Sequence, residues 1–455
     1  MQLTCCRHHA LRMAITIIMI AVVALFFSGT GWAVDASPKD DAYHYMANGV
    51  DDQLYNEWWY FDVADNDSQF MVVYLLSDPE NISSAQKIQV QAVAMQDGRP
   101  HAQGQHKSSG YGGDRNSPMF DIDKSGFSSE EEPNLRIWGE VEDSATGDPI
   151  RWDLLYQPME SPWFAIPVQA HIGHIKGDWM KWLVYMPSAQ VTGTLTIGNR
   201  TKSLQGTGYH EHAWGRFAFS DPQITRASVS VPLDSFSLAF AEIQGAQRVA
   251  FLGIKKDSKG IDFSDKQIKL NYSNYTFDNT TATVTPGTYH VEADNGDYSL
   301  DLVVDVIKSA ATTLDYLPPL PSVLIFQQVS FLHGTLISRS GEKFSFQKQG
   351  FSGFTVPTLH PIFGRINSTY SNITIVARNE RTGQEKTARV TSDGFYSLDA
   401  DFSDYLADST APWVANGDQV KLEMRGTADT NNTTAANIPI NLSINLSEER
   451  QEANL

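Results

Sequence analysis

The chain has 455 residues, 41% of them apolar, and a formal charge of -19 with an isoelectric point near 5.0. This is a globular composition, long enough for two or three domains that each bury a core. Acidity without a long basic run excludes a nucleic-acid footprint, and an anionic membrane surface would repel the body of the protein.

The first segment reads "MQLTCCRHHALRMAITIIMIAVVALFFSGTGWAVDASP". Arg7 and Arg12 precede an apolar run from Met13 to Phe27, and small residues follow up to Ala33. That is the pattern of a secretory signal over 1–33, cleaved after Ala33, although a run this short can also stay as an uncleaved anchor. Export to the periplasm, the cell surface or the medium is the expectation. Cys5 and Cys6 are the only cysteines and lie in this leader. Once it is removed no disulfide remains, so stability must come from core burial, and any metal would need His and carboxylate ligands. Twelve Asn-x-Ser/Thr sequons, from Asn66 to Asn445, are either glycan acceptors or the mark of a surface rich in Asn, Ser and Thr.

Beyond the leader, apolar residues alternate with polar ones in nearly every segment. "KIQVQAVAMQDG", "QVTGTLTIGNRTKSLQGTGYHEH", "SFSLAFAEIQGAQRVAFLGIKK" and "DYSLDLVVDVI" read as half-buried strands separated by Asp-Gly, Asn-Gly or Gly-Asn turns. Helical periodicity over three turns is missing. The expected class is all-β, built of barrels or sandwiches. A tryptophan-rich region spans 43–215, a region without tryptophan spans 216–356, and a small sandwich of immunoglobulin-like or carboxypeptidase-regulatory-like type spans 360–447.

Candidate chemistry begins at "YNEWWYFDV", Tyr55 to Val63. Alternation sets Asn56, Trp58 and Tyr60 on one side and Glu57, Trp59 and Phe61 on the other. If the second side faces the interior, the Glu57 carboxyl sits among rings, where burial favours its neutral, proton-donating form. The alternative is a structural corner in which Glu57 accepts indole or backbone donors. Farther on, His171 and His174 are isolated and read as surface or satisfied core groups. In "GTGYHEHAWGRF", residues 206 to 217, Gly208, His210, His212 and Trp214 share one face and Tyr209, Glu211 and Ala213 share the other. A His-x-His pair can hold a metal, yet no third ligand, whether His171, His174 or Glu57, stands at a spacing that selects one. No metal and no cofactor is expected.

"NEWWYFDV", then "WLVYMPSAQVTGTLTIGNRTKSLQGTGYHEHAWG" with its Pro-x-x-x-Val-x-Gly approach, then a strand-rich stretch to about Phe354, resemble the hydroxyneurosporene synthase family of carotenoid 1,2-hydratases. That family extends to transport-operon-associated proteins and is distantly similar to fungal lipocalin-like Diels-Alderases. The resemblance implies two lipocalin-like barrels packed together with a ligand cavity near their junction. It also implies that His212 and Trp214, together with an acid on the following strand, add water across an isoprenoid double bond. That strand, "SFSLAFAEIQG", carries Phe240 and Glu242 where the family pattern places a tyrosine and an aspartate, which puts the substrate and the reaction in question.

Two functional classes follow. One is an exported hydratase- or cyclase-like enzyme protonating a C=C bond of an isoprenoid or other lipid-like molecule. Its acid/base candidates are His212, Glu242 and Glu57, and Trp214, Trp59, Tyr209, His210 and Phe240 shape the cavity. The other is a non-catalytic carrier or envelope binding protein for apolar ligands. In both, the partner is an apolar small molecule and not a nucleic acid, and the appended sandwich suits association with the cell envelope.

Overall fold

The computed structural model describes residues 36–46, 54–79, 88–96, 101–129, 132–172, 177–217, 223–245, 247–314, 322–358, 361–366, 371–399, 417–427, 440–443 and 451–453. The leader, both cysteines and His174 lie outside them. The described residues form strands and three short 3-10 turns, with no α-helix. Among them, no helix is long and apolar enough to cross a membrane. The expected all-β class is what the chain adopts.

The first sheet has twelve strands. Its centre runs Ile88–Gln96, Ser68–Ser77, Tyr55–Ala64, Arg200–Arg216, Trp179–Ile197, Pro149–Pro158, each antiparallel to the next. Trp179–Ile197 and Arg200–Arg216 are joined by the two-residue turn Gly198-Asn199, in which Gly198 has φ 62°, a left-handed conformation glycine adopts without steric cost. The sheet curls until its Ala102–Ser108 edge meets the end of Leu135–Glu142 through a Gly104–Asp143 bridge. Phe61, Phe70, Tyr74, Phe127 and Tyr156 fill the inside of the curl.

The second sheet has nine strands, centred on Phe236–Gln244, Gln223–Val231, Lys343–Thr358, Ser322–Ser338 and Tyr298–Leu314. Its own interior holds Leu238, Phe240, Leu252, Tyr289, Leu302 and Leu332.

A separate core joins the two sheets. Trp58, Met71, Val93, Trp163 and Trp182 of the first pack with Ile224, Ala241, Phe251, Val329 and Phe351 of the second. Polar bonds cross the same seam: Gln103 Nε2 donates to the Ala311 carbonyl at 3.0 Å, and Thr312 Oγ1 to Gln91 Oε1 at 2.8 Å. Tyr55–Ala64 is therefore buried on both faces, toward the curl and toward the second sheet, and all but its last residue are buried. This explains why "NEWWYFDV" carries large rings at both parities instead of a polar face.

Toward the C-terminus, two small sheets of three and four strands share a core of Ile362, Ile375, Tyr396, Val420 and Leu422. They lean on the hairpin formed by Thr276–Asp278 and Thr283–Thr285, where Phe277 stacks on Phe395 at 4.7 Å.

Candidate functional site

The two sequence motifs are neighbouring strands. Tyr55–Ala64 pairs with Arg200–Arg216 so that Glu57 opposes Trp214, Trp59 opposes His212 and Phe61 opposes His210. The intervening pairs are Trp58 with Ala213, Tyr60 with Glu211 and Asp62 with Tyr209. Alternation sends the first set into the curl of the first sheet and the second set into the seam between sheets.

The inward set is closed over by the segment from Pro38 to Tyr45. Glu57 accepts the backbone N–H of His44 at 2.8 Å and of Tyr45 at 3.2 Å, the Tyr55 hydroxyl at 2.9 Å and His212 Nε2–H at 3.0 Å. Burial alone would raise its pKa, but the hydrogen bonds from His212 and His44 outweigh it and pull the carboxyl down to about 2. Asp41, fully buried, faces His210 Nε2 at 3.0 Å and His212 Nδ1 at 3.4 Å. Burial opposes its charge as well, yet the two histidines hold it below the ordinary carboxylate range. Burial pushes the His212 pKa down and the two carboxylates push it up, with a net rise. His210 Nδ1–H donates to the Tyr60 carbonyl at 2.9 Å. The rings stack: Trp59 on His212 at 4.5 Å, His44 on Trp214 at 3.8 Å, Phe61 on His210 at 3.8 Å.

The seam set behaves differently. A cleft there, with about 60 Å³ open to the centre of a water molecule, is walled by Trp58, Tyr60, Gln91, Trp182, Glu211, Arg226 and Gln327. Glu211 accepts the Tyr209 hydroxyl at 2.7 Å, the Trp182 indole N–H at 3.1 Å and Arg226 at 3.5 Å. Arg226 comes from the second sheet, donates to Gln327 Oε1 at 2.8 Å and lies 3.7 Å from the centre of the Tyr60 ring. Next along the seam, Asp62 and Tyr209 line a recess of about 40 Å³ with Ser228 and Lys348. Burial raises the Asp62 carboxyl well above its usual range, against the pull of Arg226. Neither its Oδ2 nor the Tyr60 hydroxyl has a hydrogen-bond partner among the described residues. The seam thus holds a carboxyl whose protonated form burial favours, near aromatic faces and a fixed guanidinium.

Of the residues singled out in the sequence, Glu57, Trp59, His210, His212 and Trp214 gather on the inward face, and Glu57 does reach His212. The hollow expected beneath His212 and Trp214 is instead ring stacked on ring. Tyr209 points the opposite way, so it cannot share a cavity with the histidines: residues one apart on a strand face opposite sides. Phe240 lies in the core of the second sheet, and Glu242 beside it is bound by Arg248, whose Nε donates at 2.6 Å, so neither joins the first-sheet cluster. His171 is largely exposed, with Nδ1 at 2.6 Å from the Asp178 carbonyl. Asp62, Tyr60, Glu211 and Trp58 stand in the same two motifs, on the strand face opposite the predicted acid/base residues Glu57 and His212. Their signal was the parity opposite the histidines. Arg226 and Asp41 carried no local signal.

A protein of Nitrosomonas europaea described as an AttH shares 14% identity over 72% of this chain and 98% of its own, with a TM-score of 0.51. That likeness shows the fold. The pair of curled sheets is lipocalin-like. Kievitone hydratase from Nectria haematococca and CghA also align over 72% of the chain at 14% identity, with TM-scores of 0.49 and 0.45 and coverage of 95% and 97% of those chains. No protein-family model matches the chain, and no curated protein matches it.

Proposed function

We propose that this chain is an exported hydratase- or cyclase-like enzyme that protonates a C=C bond of an apolar, isoprenoid-like molecule held in the seam between the two sheets. The observation that carries the reading is Asp62: a fully buried carboxyl whose protonated form burial favours, with one oxygen unpartnered, in a small recess of the seam next to the cleft walled by Trp58, Tyr60 and Trp182. Protonating an alkene needs a dry acid, and the resulting cation needs stabilisation by groups that do not attack it. Asp62 supplies the first. The faces of Trp58, Tyr60 and Trp182 supply the second.

In the forward step the Asp62 O–H bond breaks and its proton forms a C–H bond at one alkene carbon. The carboxylate left behind is balanced by Arg226, and the other carbon carries the positive charge. Water attacks that carbon, and the proton it releases returns to Asp62, giving net addition of water. Where water is kept out, an internal double bond attacks instead, a ring forms, and the carbon beside the new cation gives up a proton to the Asp62 carboxylate, leaving a cyclised isomer. Glu211, held by three donors, fixes Arg226 and Tyr209 in place. The combined space of the two recesses suits the end of a chain rather than a whole carotenoid, so the rest of the substrate runs out along the seam. The motif resemblance to carotenoid hydratases supports the reaction class, and the leader supports export.

The test is incubation of the purified protein with a panel of prenyl-chain alkenes in ¹⁸O-labelled water, with products followed by mass spectrometry. Labelled alcohol or a cyclised isomer from the wild type, absent with Asp62→Asn, is the expected result. An Asp62→Asn variant that converts substrate at the wild-type rate contradicts the assignment. Retention of an unchanged ligand by both proteins would make the chain a carrier.

A further inference from the structure

We infer that the inward cluster is a divalent-metal site of the zinc class, formed by Glu57 Oε1, His212 Nε2 and His44 Nδ1, which pins the N-terminal segment to the two motif strands.

Glu57 Oε1 lies 3.0 Å from His212 Nε2 and 3.3 Å from His44 Nδ1, and the three ligand atoms fall within 4.8 Å of one another. Ligands about 2.0 to 2.1 Å from a tetrahedral zinc are separated by about 3.3 Å, so both short edges are already near the required length. The outer shell is present too. His212 turns its second nitrogen, Nδ1, toward Asp41 at 3.4 Å, short of a formed hydrogen bond but on the side from which a carboxylate orients an imidazole ligand. The other oxygen of Glu57 is held by the Tyr55 hydroxyl and the Tyr45 N–H, while Oε1 accepts the His44 backbone N–H at 2.8 Å and faces both imidazoles.

A second observation points to a ligand. The Nδ1 atom of His44 is buried and faces only the Glu57 carboxylate, at 3.3 Å and outside good hydrogen-bond geometry, although its ring is fixed flat against Trp214. A buried nitrogen lone pair directed at a carboxylate oxygen is unfavourable unless a proton or a cation lies between them. A divalent ion there replaces the His212 Nε2 proton, which passes to solvent. His44 belongs to the closing segment, whereas Glu57 and His212 belong to strands, so the ion would be a clasp between them. This inference does not depend on the alkene chemistry of the seam, because the ligands lie on the opposite face of the sheet.

Chelator-stripped full-length protein is titrated calorimetrically with Zn²⁺, and separately with Co²⁺ while its visible absorption is recorded. One ion per chain and the intense visible bands of tetrahedral Co²⁺ are expected, with at least a tenfold loss of affinity in His44→Ala. The partly exposed His44 leaves the fold intact when truncated, which circular dichroism verifies. His106→Ala, which removes an exposed histidine paired with Asp123, should bind as the wild type does. Hydrogen exchange of residues 41 to 45 should slow on adding Zn²⁺ to the wild type and not to His44→Ala. No stoichiometric binding by the wild type, or equal binding by His44→Ala, overturns the site. Either result leaves the Asp62 assay unaffected.

Discussion

Asp62 and Glu57 sit five residues apart on one strand and are both unexposed, yet their environments drive them in opposite directions. Glu57 meets four donors and is held as a carboxylate at about 2. Asp62 meets burial with too little compensation, so its pKa is driven well up and its protonated form is favoured. The consequences for stability have opposite signs. Glu57, lowered on folding, contributes fully above its unfolded pKa of about 4.3, and the contribution is lost as pH falls toward 2. Asp62, raised on folding, binds its proton more tightly in the native state, so its stabilisation is lost as pH rises through the folded pKa. His212, also raised, behaves as Asp62 does, losing its contribution on the alkaline side. Glu57→Gln should therefore cost about 3 kcal/mol near neutral pH, the order expected when one partner of a buried pair is removed, and should flatten the acid limb of a stability–pH curve from urea unfolding. Asp62→Asn should instead leave stability unchanged or raise it, most at alkaline pH, while turnover falls by about 10² to 10⁴ as for loss of a general acid. If Asp62→Asn unfolds the protein as severely as Glu57→Gln, the carboxyl is structural and the assignment fails.

At the scale of strands, the alternation visible in "YHEHAW" and "NEWWYF" sorts side chains as the structure does: His210, His212 and Trp214 on one face, Tyr209, Glu211 and Ala213 on the other. Which face lines a cleft was not legible there. Position along a strand says nothing about what docks on it, and here both faces are covered: one by Asp41 and His44 from upstream, the other by a sheet whose Arg226, Gln327 and Phe354 arrive from downstream. Single-sheet logic, in which one side is core and the other solvent, does not anticipate a strand covered on both faces, and titratable residues stand on both: Glu57, His210 and His212 on one, Asp62, Tyr209 and Glu211 on the other. The docking itself depends on close approach. A Cβ at Gly253 of the second sheet would stand 2.2 Å from the ring of Trp163. Gly253→Ala should loosen the seam by about 1 to 3 kcal/mol, the usual cost of overpacking, visible as a lower thermal midpoint and a red-shifted tryptophan emission. An unchanged midpoint would mean that the sheets are not tightly docked at this point.

On the scale of the whole molecule, three apolar cores matter: one inside each curled sheet and a third between them. Because the third contains residues from both sheets, the pair should unfold as a single cooperative unit. The C-terminal pair of small sheets has its own core and should melt separately. Calorimetry of the full chain should show two transitions, with Trp182→Ala lowering only the larger. Three independent transitions, or one, would contradict this division. The all-β class was legible because alternation and turn residues recur throughout the chain, whereas the lipocalin-like pairing followed only from the motif resemblance. The placement of the site in the seam is a property of assembly, and only the folded chain displays it.

The most direct test of that placement is photo-crosslinking with a prenyl chain bearing a terminal diazirine, followed by residue-level mass spectrometry. Labels on Trp58, Tyr60, Arg226, Gln327 or Phe354, lost on competition with unmodified alkene, are what the seam requires. Competed labels confined to Trp59, His212 or Trp214 would put the ligand inside the first sheet and contradict the account.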